Sequence, residues 1–157
     1  MIRLIAAIDD KRGLADDHQI PWPKPKRDLK QLREKTMGCP MLMGFRTYLE
    51  LTKPLQGRTC YVVTDGMDPL REGFMAVTDL DDFMKEPPEN LWLFGGAGVF
   101  AQTMQYAEEL HLTHIQGDWN CTKFLPPYKD DFELVEEDGP YTEDGVTFKF
   151  AVYRRKS

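Results

Sequence analysis

Residues 91–100 read Leu91-Trp92-Leu93-Phe94-Gly95-Gly96-Ala97-Gly98-Val99-Phe100, an apolar run followed by glycines and a second apolar pair. The first four residues are all apolar, which is typical of a strand buried on both faces of a sheet. The glycines mark a turn, and the apolar pattern that follows, as far as Ala107, has helical spacing. The stretch therefore predicts one β-α unit of a parallel sheet.

Strand signals and helix signals alternate on the N-terminal side of this unit. Apolar and β-branched runs predict strands over residues 2–8, 40–44, 58–64 and 74–77. Helical spacing and capping residues predict helices over about 25–36, 47–51 and 80–84. Parallel neighbours need crossover connections, so the alternation predicts a mainly parallel sheet with helices on both faces.

The last third of the chain shows strand signals only. Strands are predicted over residues 110–116, 132–136 and 146–155, with turn signals at Gly139-Pro140 and Asp144-Gly145. This order favours an antiparallel hairpin at the edge of the sheet. We therefore predict one α/β domain over residues 1–157, with a mostly parallel central sheet of about eight strands, a C-terminal antiparallel hairpin and about four helices on both faces.

The composition is that of a globular domain. The chain has 157 residues, 41% of them hydrophobic and 29% charged, which is enough to form one sizeable core. No apolar run reaches the roughly 18 residues of a membrane span. The run from Met1 to Ile8 is cut off by two aspartates, so it predicts a buried strand and not a signal peptide. We expect a cytoplasmic protein without a membrane partner.

Charge, cysteines and histidines exclude several kinds of site. The formal net charge of −6 argues against nucleic acid as a partner. Three widely spaced cysteines predict reduced thiols and no disulfide framework. The three histidines form no ligand pattern, so no metal site is predicted. Nothing in the chain indicates an oligomer, and a monomer is the default expectation.

Asp28 is the candidate for a chemical role in the predicted helix 25–36. Together with Pro25, Leu29, Leu32 and Thr36 it follows the spacing of one helical face. A carboxylate on a buried face must be paired, be protonated or meet a cationic ligand. An acidic residue in a first helical turn is equally explained by the helix macrodipole. Basic residues around it suit a ligand with a cationic head and an anionic tail, or form an ordinary solvated face.

Two predicted strand ends carry phosphate-binding signals. Glycines at 95, 96 and 98 open a helix, where backbone N–H groups bind phosphate and a missing side chain permits close approach. Gly44-Phe45-Arg46-Thr47 also ends a strand, and its arginine suits a phosphate. Each is also explained as an ordinary strand–helix turn, but two such turns in one small domain fit a dinucleotide better than a single phosphate.

Two further residues are candidates because of their chemistry. Arg58 follows a turn and suits a carboxylate, which its guanidinium binds through two hydrogen bonds. Thr113 lies on the predicted strand 110–116, where its hydroxyl can reach an inward carboxylate. Solvated surface positions explain both residues equally well.

Taken in order, these pieces resemble dihydrofolate reductases over nearly the whole chain. The matching pieces are Ile5-Ala6-Ala7, Ile20-Pro21-Trp22, Asp28-Leu29, Met43-Gly44-x-x-Thr47, Pro54-Leu55-x-Gly57-Arg58, Gly95-Gly96 and Leu112-Thr113-His114-Ile115. Each piece is short, but the ordered set is specific.

The resemblance implies NADPH-dependent reduction of 7,8-dihydrofolate to 5,6,7,8-tetrahydrofolate, and diaminopyrimidine antifolates as inhibitors. Asp28 and Trp22 would be catalytic: Asp28 would bind the pterin, supported by Thr113, and Trp22 would help to order a water near the ring. Residues 10–23 would form a mobile loop over the nicotinamide, and a cis peptide would join Gly95 to Gly96.

The resemblance also implies two sets of binding residues. The substrate would contact Ile5, Ala6, Asp28, Leu29, Leu32, Leu51, Lys53, Leu55, Arg58, Phe94 and Thr113. The cofactor would contact Ala7, Leu14, His18, Ile20, Gly44, Arg46, Thr47, Thr64, Asp65, Gly95, Gly96, Ala97, Gly98, Val99, Phe100 and Gln102.

Several positions depart from the pattern of the relatives. Phe45 stands where many carry a basic residue that meets the cofactor's 2′-phosphate, and Asp65 adds a carboxylate to the same region. We expect NADPH with partial compensation by Arg46, and the preference over NADH is left open. Phe94 is bulkier than the common aliphatic residue. Further departures are Ala15, Gln31, Leu32 and Thr122.

Two other functions remain open on sequence grounds. One is a reductase of the same fold that acts on a pyrimidine intermediate of riboflavin synthesis, which would not need the Trp22–Asp28 pair or Arg58. The other is a non-catalytic nucleotide-binding module that has kept the fold. The intact candidate residues favour dihydrofolate reduction over both.

Overall fold

A computed structural model describes residues 1–157, which form ten strands, four α-helices and one 3-10 turn. The strands are β1 (Arg3–Ile8), β2 (Gly13–Ala15), β3 (Pro40–Gly44), β4 (Thr59–Val63), β5 (Phe74–Val77), β6 (Trp92–Gly95), β7 (Glu109–Ile115), β8 (Lys123–Phe124), β9 (Phe132–Glu143) and β10 (Val146–Arg155). The helices are α1 (Lys26–Thr36), α2 (Phe45–Glu50), α3 (Leu80–Phe83) and α4 (Ala97–Thr103), and α4 continues into the 3-10 turn Met104–Tyr106.

Eight of the strands form one sheet in the order β5-β4-β3-β6-β1-β7-β10-β9. The six strands from β5 to β7 in that order are mutually parallel, whereas β10 is antiparallel to both β7 and β9. The predicted fold class is confirmed, including the C-terminal hairpin. The carboxyl ends of the parallel strands share one edge of the sheet, where ligands bind in sheets of this kind.

The central strands are buried on both faces. Met41, Leu42 and Met43 of β3 and Leu93 of β6 have no exposed surface. Burying one such side chain contributes about 1.5–3 kcal/mol. This double burial explains why the central strands show continuous apolar runs in the sequence.

The turn predicted at Gly139-Pro140 is wrong. These residues lie inside β9, which continues to Glu143 and pairs with β10 along most of its length. The ladder has an irregularity opposite them, between Phe148 and Phe150. β9 is an edge strand, and proline is tolerated in edge strands and at bulges because it lacks an N–H. The hairpin turn is at Asp144-Gly145, as predicted, and both residues have positive φ.

Other boundaries differ from the predictions by one or two residues. Pro25 is the extended N-cap of α1 and not its first helical residue. Helix α2 begins at Phe45 and not at Thr47. The predicted loop 10–23 contains β2, which pairs with β8 in a separate two-stranded ribbon. Strands of three and two residues carry no periodicity that a sequence could reveal.

None of the helices has the length and apolar character that a membrane crossing requires. Cys39, Cys60 and Cys121 are free thiols.

Candidate active site

A cavity of about 720 Å³ opens at the carboxyl edge of the parallel strands. It lies between α1, the start of α2, the start of α4 and the loop that follows β1. Of the predicted site residues, it is lined by Ile5, Ala6, Ala7, Leu14, His18, Ile20, Trp22, Asp28, Leu29, Leu32, Gly44, Arg46, Thr47, Leu51, Phe94, Gly95, Gly96, Ala97, Gly98, Val99, Phe100 and Gln102. The structure thus brings most residues of both predicted sets into one cavity. The predicted residues outside its lining are Lys53, Leu55, Arg58, Thr64, Asp65 and Thr113.

The carboxylate of Asp28, which lines this cavity, meets the hydroxyl of Thr113, a buried residue of β7 outside the lining. Thr113 Oγ1 donates a hydrogen bond to Asp28 Oδ1 at 2.5 Å, so α1 and β7 meet as predicted. Burial raises the pKa of Asp28, while the Thr113 hydrogen bond and the charges of Lys24 and Lys35 oppose the shift. A carboxylate held in this way favours a cationic partner or a bound proton.

The face of α1 that was predicted to pack inward is only partly buried. Thr36 is 1% exposed, but Leu29 is 46% exposed. Leu29 and Leu32 line the open cavity together with Asp28, so this part of the helix faces a ligand-sized space and not the core. Ala7 lies opposite Thr113 in the β1–β7 pairing, which places the carboxylate beside the wall formed by β1.

Trp22 is fixed at the cavity by its aromatic neighbour. It is 3% exposed and lines the cavity. Its ring meets that of Trp119 edge-on, with centroids 6.1 Å apart. Because Pro21 and Pro23 flank it, its backbone has little freedom.

Asp9 holds the loops around Trp22, and sequence reasoning did not identify this role. It is 2% exposed and accepts hydrogen bonds from the backbone N–H groups of Lys11, Gly13 and Trp119 at 2.7–3.1 Å. The only indication of this role in the sequence is that the carboxylate of Asp9 directly follows a buried strand. The sequence could not show that its partners include a residue 110 positions away.

The loop after β1 is tied to the rest of the domain by side chains. Thr122 Oγ1 donates to Asp17 Oδ1 at 2.7 Å, and the Arg46 guanidinium donates to the backbone oxygen of Asp17. Leu14, His18 and Ile20 of this loop line the cavity. Thr122, one of the departures from the pattern of the relatives, thus hydrogen-bonds to a carboxylate of the loop itself.

The glycine turn after β6 leaves open space in the cavity. Gly95 has φ +124° and is joined to Gly96 by a cis peptide, as the resemblance implies. A Cβ atom added at Gly96 or Gly98 would meet nothing within 4 Å. By contrast, a Cβ on Gly44 would lie 3.2 Å from Val99 Cγ2. Gly44 therefore permits close packing, whereas Gly96 and Gly98 leave room for a ligand.

Arg58 lies outside the cavity lining and is held by internal contacts. Its Nε donates to Thr36 Oγ1 at 3.1 Å, and its terminal nitrogens donate to the backbone oxygens of Arg33 and Gln56. Lys53 and Leu55 line a neighbouring groove that shares Glu50 and Leu51 with the cavity. These three predicted residues thus lie around the extension of the cavity and not in it.

Thr64 and Asp65 are also outside the lining. They form the turn after β4, next to Val63, which does line the cavity. The N–H of Thr64 donates to the backbone oxygen of Val77, and Asp65 Oδ1 accepts from the N–H of Met67 at 2.9 Å. The predicted cofactor contact at these residues therefore depends on a ligand that extends beyond the cavity.

Comparison with known proteins gives a consistent answer. A family model described as dihydrofolate reductase matches residues 1–155. The chain is 29% identical to the dihydrofolate reductase of Bacillus subtilis (strain 168), covering 100% of this chain and 96% of the relative. It is 32% identical to dihydrofolate reductase type 3 of Salmonella typhimurium, covering 82% of this chain and 80% of the relative.

A solved structure shares the fold. The dihydrofolate reductase from Enterococcus faecalis, complexed with NADP(H) and RAB-propyl, has a TM-score of 0.87 and is 23% identical, covering 100% of this chain and 97% of that chain.

Proposed function

Since the chain belongs to the dihydrofolate reductase family, we infer that it reduces 7,8-dihydrofolate to 5,6,7,8-tetrahydrofolate with NADPH. It is an oxidoreductase of one-carbon metabolism. One observation carries the assignment at the level of the site. Asp28, which accepts a hydrogen bond from Thr113, lines a largely apolar cavity that is lined also by the glycine turn. A carboxylate for the pterin and a surface for the cofactor thus share one space.

Asp28 is the group that recognises the pterin. Its carboxylate accepts hydrogen bonds from the ring's amino group and N3, while Thr113 occupies one carboxylate oxygen and fixes its orientation. Removal from water makes the negative charge costly, so the carboxylate favours a cationic ring. Added positive character on the ring makes it a better hydride acceptor.

Trp22 positions the water that delivers the proton. Its buried ring lines the cavity and is locked by Trp119. A rigid indole at the wall restricts where a water can sit, and positioned proton donors accelerate such steps.

The residues present fit the cofactor. NADPH supplies the hydride when bound, and the protein supplies orientation and electrostatics. The open space at Gly96 and Gly98 accommodates the diphosphate, and Thr47 and Arg46 line the same cavity. Ala7 and Ile20 pack in the cluster of Trp22 and, with Leu14, line the cavity, so these three residues would hold the nicotinamide.

Arg58 pairs with the α-carboxylate of the glutamyl tail. Three of the five N–H groups that a guanidinium carries are engaged by Arg33, Thr36 and Gln56. Two remain for the ligand. Lys53 in the neighbouring groove adds a second positive charge for the tail.

The assay that tests the function follows the loss of the cofactor's absorbance when dihydrofolate is added. Oxidation of the cofactor in the presence of dihydrofolate, and none in the presence of a pyrimidine intermediate of riboflavin synthesis, supports the proposal. The reverse result would assign the chain to the riboflavin reductases. Cofactor binding without turnover of either substrate would indicate a non-catalytic module.

We expect the rate of hydride transfer to fall as pH rises. Burial raises the pKa of Asp28, and Lys24 and Lys35 face it with the opposite effect. The protonated form of the carboxylate–pterin pair is therefore present at low pH and lost as pH rises through its apparent pKa. Single-turnover rates with deuterated cofactor isolate this step. A rate independent of pH, with a full isotope effect, would contradict the assignment.

Phe94 is expected to weaken diaminopyrimidine antifolates. Its ring lines the cavity and is bulkier than an aliphatic side chain. The variant Phe94→Leu should therefore bind such an inhibitor more tightly, by about tenfold if one unfavourable contact of about 1.4 kcal/mol is removed. Inhibition constants for both proteins provide the measurement. Nanomolar inhibition of the unmodified chain would show that Phe94 does not narrow the site.

The proposed location is the cytosol, where reducing conditions keep thiols free. Three free cysteines support this proposal. A monomer is proposed as the active form, and size-exclusion chromatography tests it.

A further inference from the structure

The cavity runs along the carboxyl edge of the sheet in a defined direction. Its lining begins at β1 with Ile5 and reaches the end of β4 at Val63. Between these strands lie β6, followed by its glycine turn, and β3, followed by α2 with Arg46. A dinucleotide with its nicotinamide at β1 and its diphosphate at the glycine turn therefore has its adenosine end at β4.

The surroundings of that end are negatively charged. The turn after β4 carries Asp65 and Asp68, and the turn after β5 leads into Asp79, Asp81 and Asp82. The two turns are in contact. The N–H of Thr64 donates to the backbone oxygen of Val77, and a Cβ on Gly66 would lie 3.0 Å from the Thr78 side chain. The five carboxylates therefore belong to one surface.

Few cations lie along the chain in this region. Between residues 59 and 122 the only lysine or arginine residues are Arg71 and Lys85. The Arg71 guanidinium donates to the backbone oxygens of Tyr48 and Leu51 and stacks on the Tyr48 ring. Lys85 follows α3, on the path back to the amino end of β6. Arg46 lines the cavity and donates one N–H to the backbone oxygen of Asp17, and its remaining N–H groups are assigned to the diphosphate.

The residue that begins α2 adds no charge either. Phe45 lines the cavity and is 43% exposed, so an apolar ring faces the region between β3 and β4. The 2′-phosphate of NADPH carries nearly two negative charges and is normally bound by arginine or lysine. A ribose hydroxyl, by contrast, is the group that a carboxylate recognises in dinucleotide sites.

We propose that this chain accepts NADH with an efficiency close to that for NADPH, because Asp65 and Phe45 form its ribose subsite. The proposal rests on the proposed function. Asp65 Oδ1 is occupied by the N–H of Met67, which orients the carboxylate and leaves Oδ2 to accept the ribose hydroxyl. Neither Phe45 nor Asp65 offers the 2′-phosphate a charge-assisted hydrogen bond.

The test is kcat/KM for each cofactor with saturating dihydrofolate. We expect the two values to differ by less than about tenfold, the factor that one hydrogen bond to a charged group would supply. Raising the salt concentration should improve kcat/KM for NADPH relative to NADH, because salt screens repulsion. A basic phosphate site would show the opposite salt effect.

Two variants sharpen the test. Phe45→Arg should raise the NADPH-to-NADH ratio by about 10- to 100-fold, because it adds a partner for the phosphate. Asp65→Asn should shift the ratio in the same direction, by lowering KM for NADPH and raising KM for NADH. Glu89→Gln removes one exposed charge before β6 and is the matched control, which should not change the ratio.

The outcomes separate this inference from the function. Activity with NADPH and a ratio above about tenfold, which requires at least one charged hydrogen bond to the 2′-phosphate, would overturn it while leaving dihydrofolate reduction intact. If Asp65→Asn lost kcat/KM equally with both cofactors, Asp65 would have a structural role, and the inference would also be overturned. No turnover of dihydrofolate with either cofactor would refute the proposed function itself.

Discussion

The variant Asp28→Asn should lose most of its turnover, with kcat for dihydrofolate reduction lowered by about 10²–10⁴-fold, the usual contribution of one acid–base group. Asparagine keeps an oxygen that can accept the hydrogen bond from Thr113, so the local geometry is preserved. It cannot carry the negative charge that favours a protonated pterin. Steady-state kinetics at neutral pH provide the measurement, and near-normal turnover would contradict the assignment of Asp28.

Stability provides the control for this variant. The pKa of Asp28 is raised by burial in the folded state, so its ionised form is less favourable there than in the unfolded chain. Its contribution to stability is present at low pH and is lost as pH rises through the folded-state pKa. Asp28→Asn should therefore be at least as stable as the unmodified chain at neutral pH, as measured by urea denaturation. An unfolded variant would leave kcat uninformative, and Thr113→Val, with a smaller expected loss of kcat, then tests the same pair.

Alanine substitutions at two glycines of the same turn should have opposite effects on stability. Gly95 has φ +124°, a conformation that side chains rarely adopt, so Gly95→Ala should lower the free energy of unfolding by about 1–3 kcal/mol. Gly98 is the second residue of α4, where alanine is the better helix former, so Gly98→Ala should raise it by up to about 0.5 kcal/mol. Denaturation curves of the three proteins measure both effects.

The variant Gly98→Ala also tests where the cofactor binds, separately from its effect on stability. A methyl group at Gly98 would project into space that no protein atom occupies within 4 Å. If the cofactor fills that space, the methyl group should weaken its binding by about 10- to 100-fold, the cost of overpacking a filled site. A more stable Gly98→Ala protein with unchanged cofactor affinity would show that the diphosphate does not lie at this turn.

The sequence was informative where a residue's role depends on spacing along one element. Asp28 could be placed on an inward helical face because helical geometry fixes that relation, and Thr113 could be placed on an alternating strand. That Asp28 and Thr113 lie close together could be predicted only from the fold. The fold in turn was predicted from the order of the elements and from the family resemblance.

Long-range pairing could not be predicted in the same way. Pro140 usually ends a strand, but at the edge of this sheet it is tolerated inside β9. The partners of Asp9 are brought together by loops that have no periodic pattern. The positions of Thr64 and Asp65 beyond the cavity lining depend on where β4 ends relative to β3, which local sequence does not encode.

The contacts of Arg58 have a consequence for the entropy of binding. A free arginine side chain loses up to about 2 kcal/mol of rotamer entropy when it is immobilised. In this protein the guanidinium is already immobilised by Arg33, Thr36 and Gln56 when the chain folds. The folate tail would therefore meet an arginine whose ordering has been completed before binding, so its carboxylate gains affinity that a mobile surface arginine could not provide.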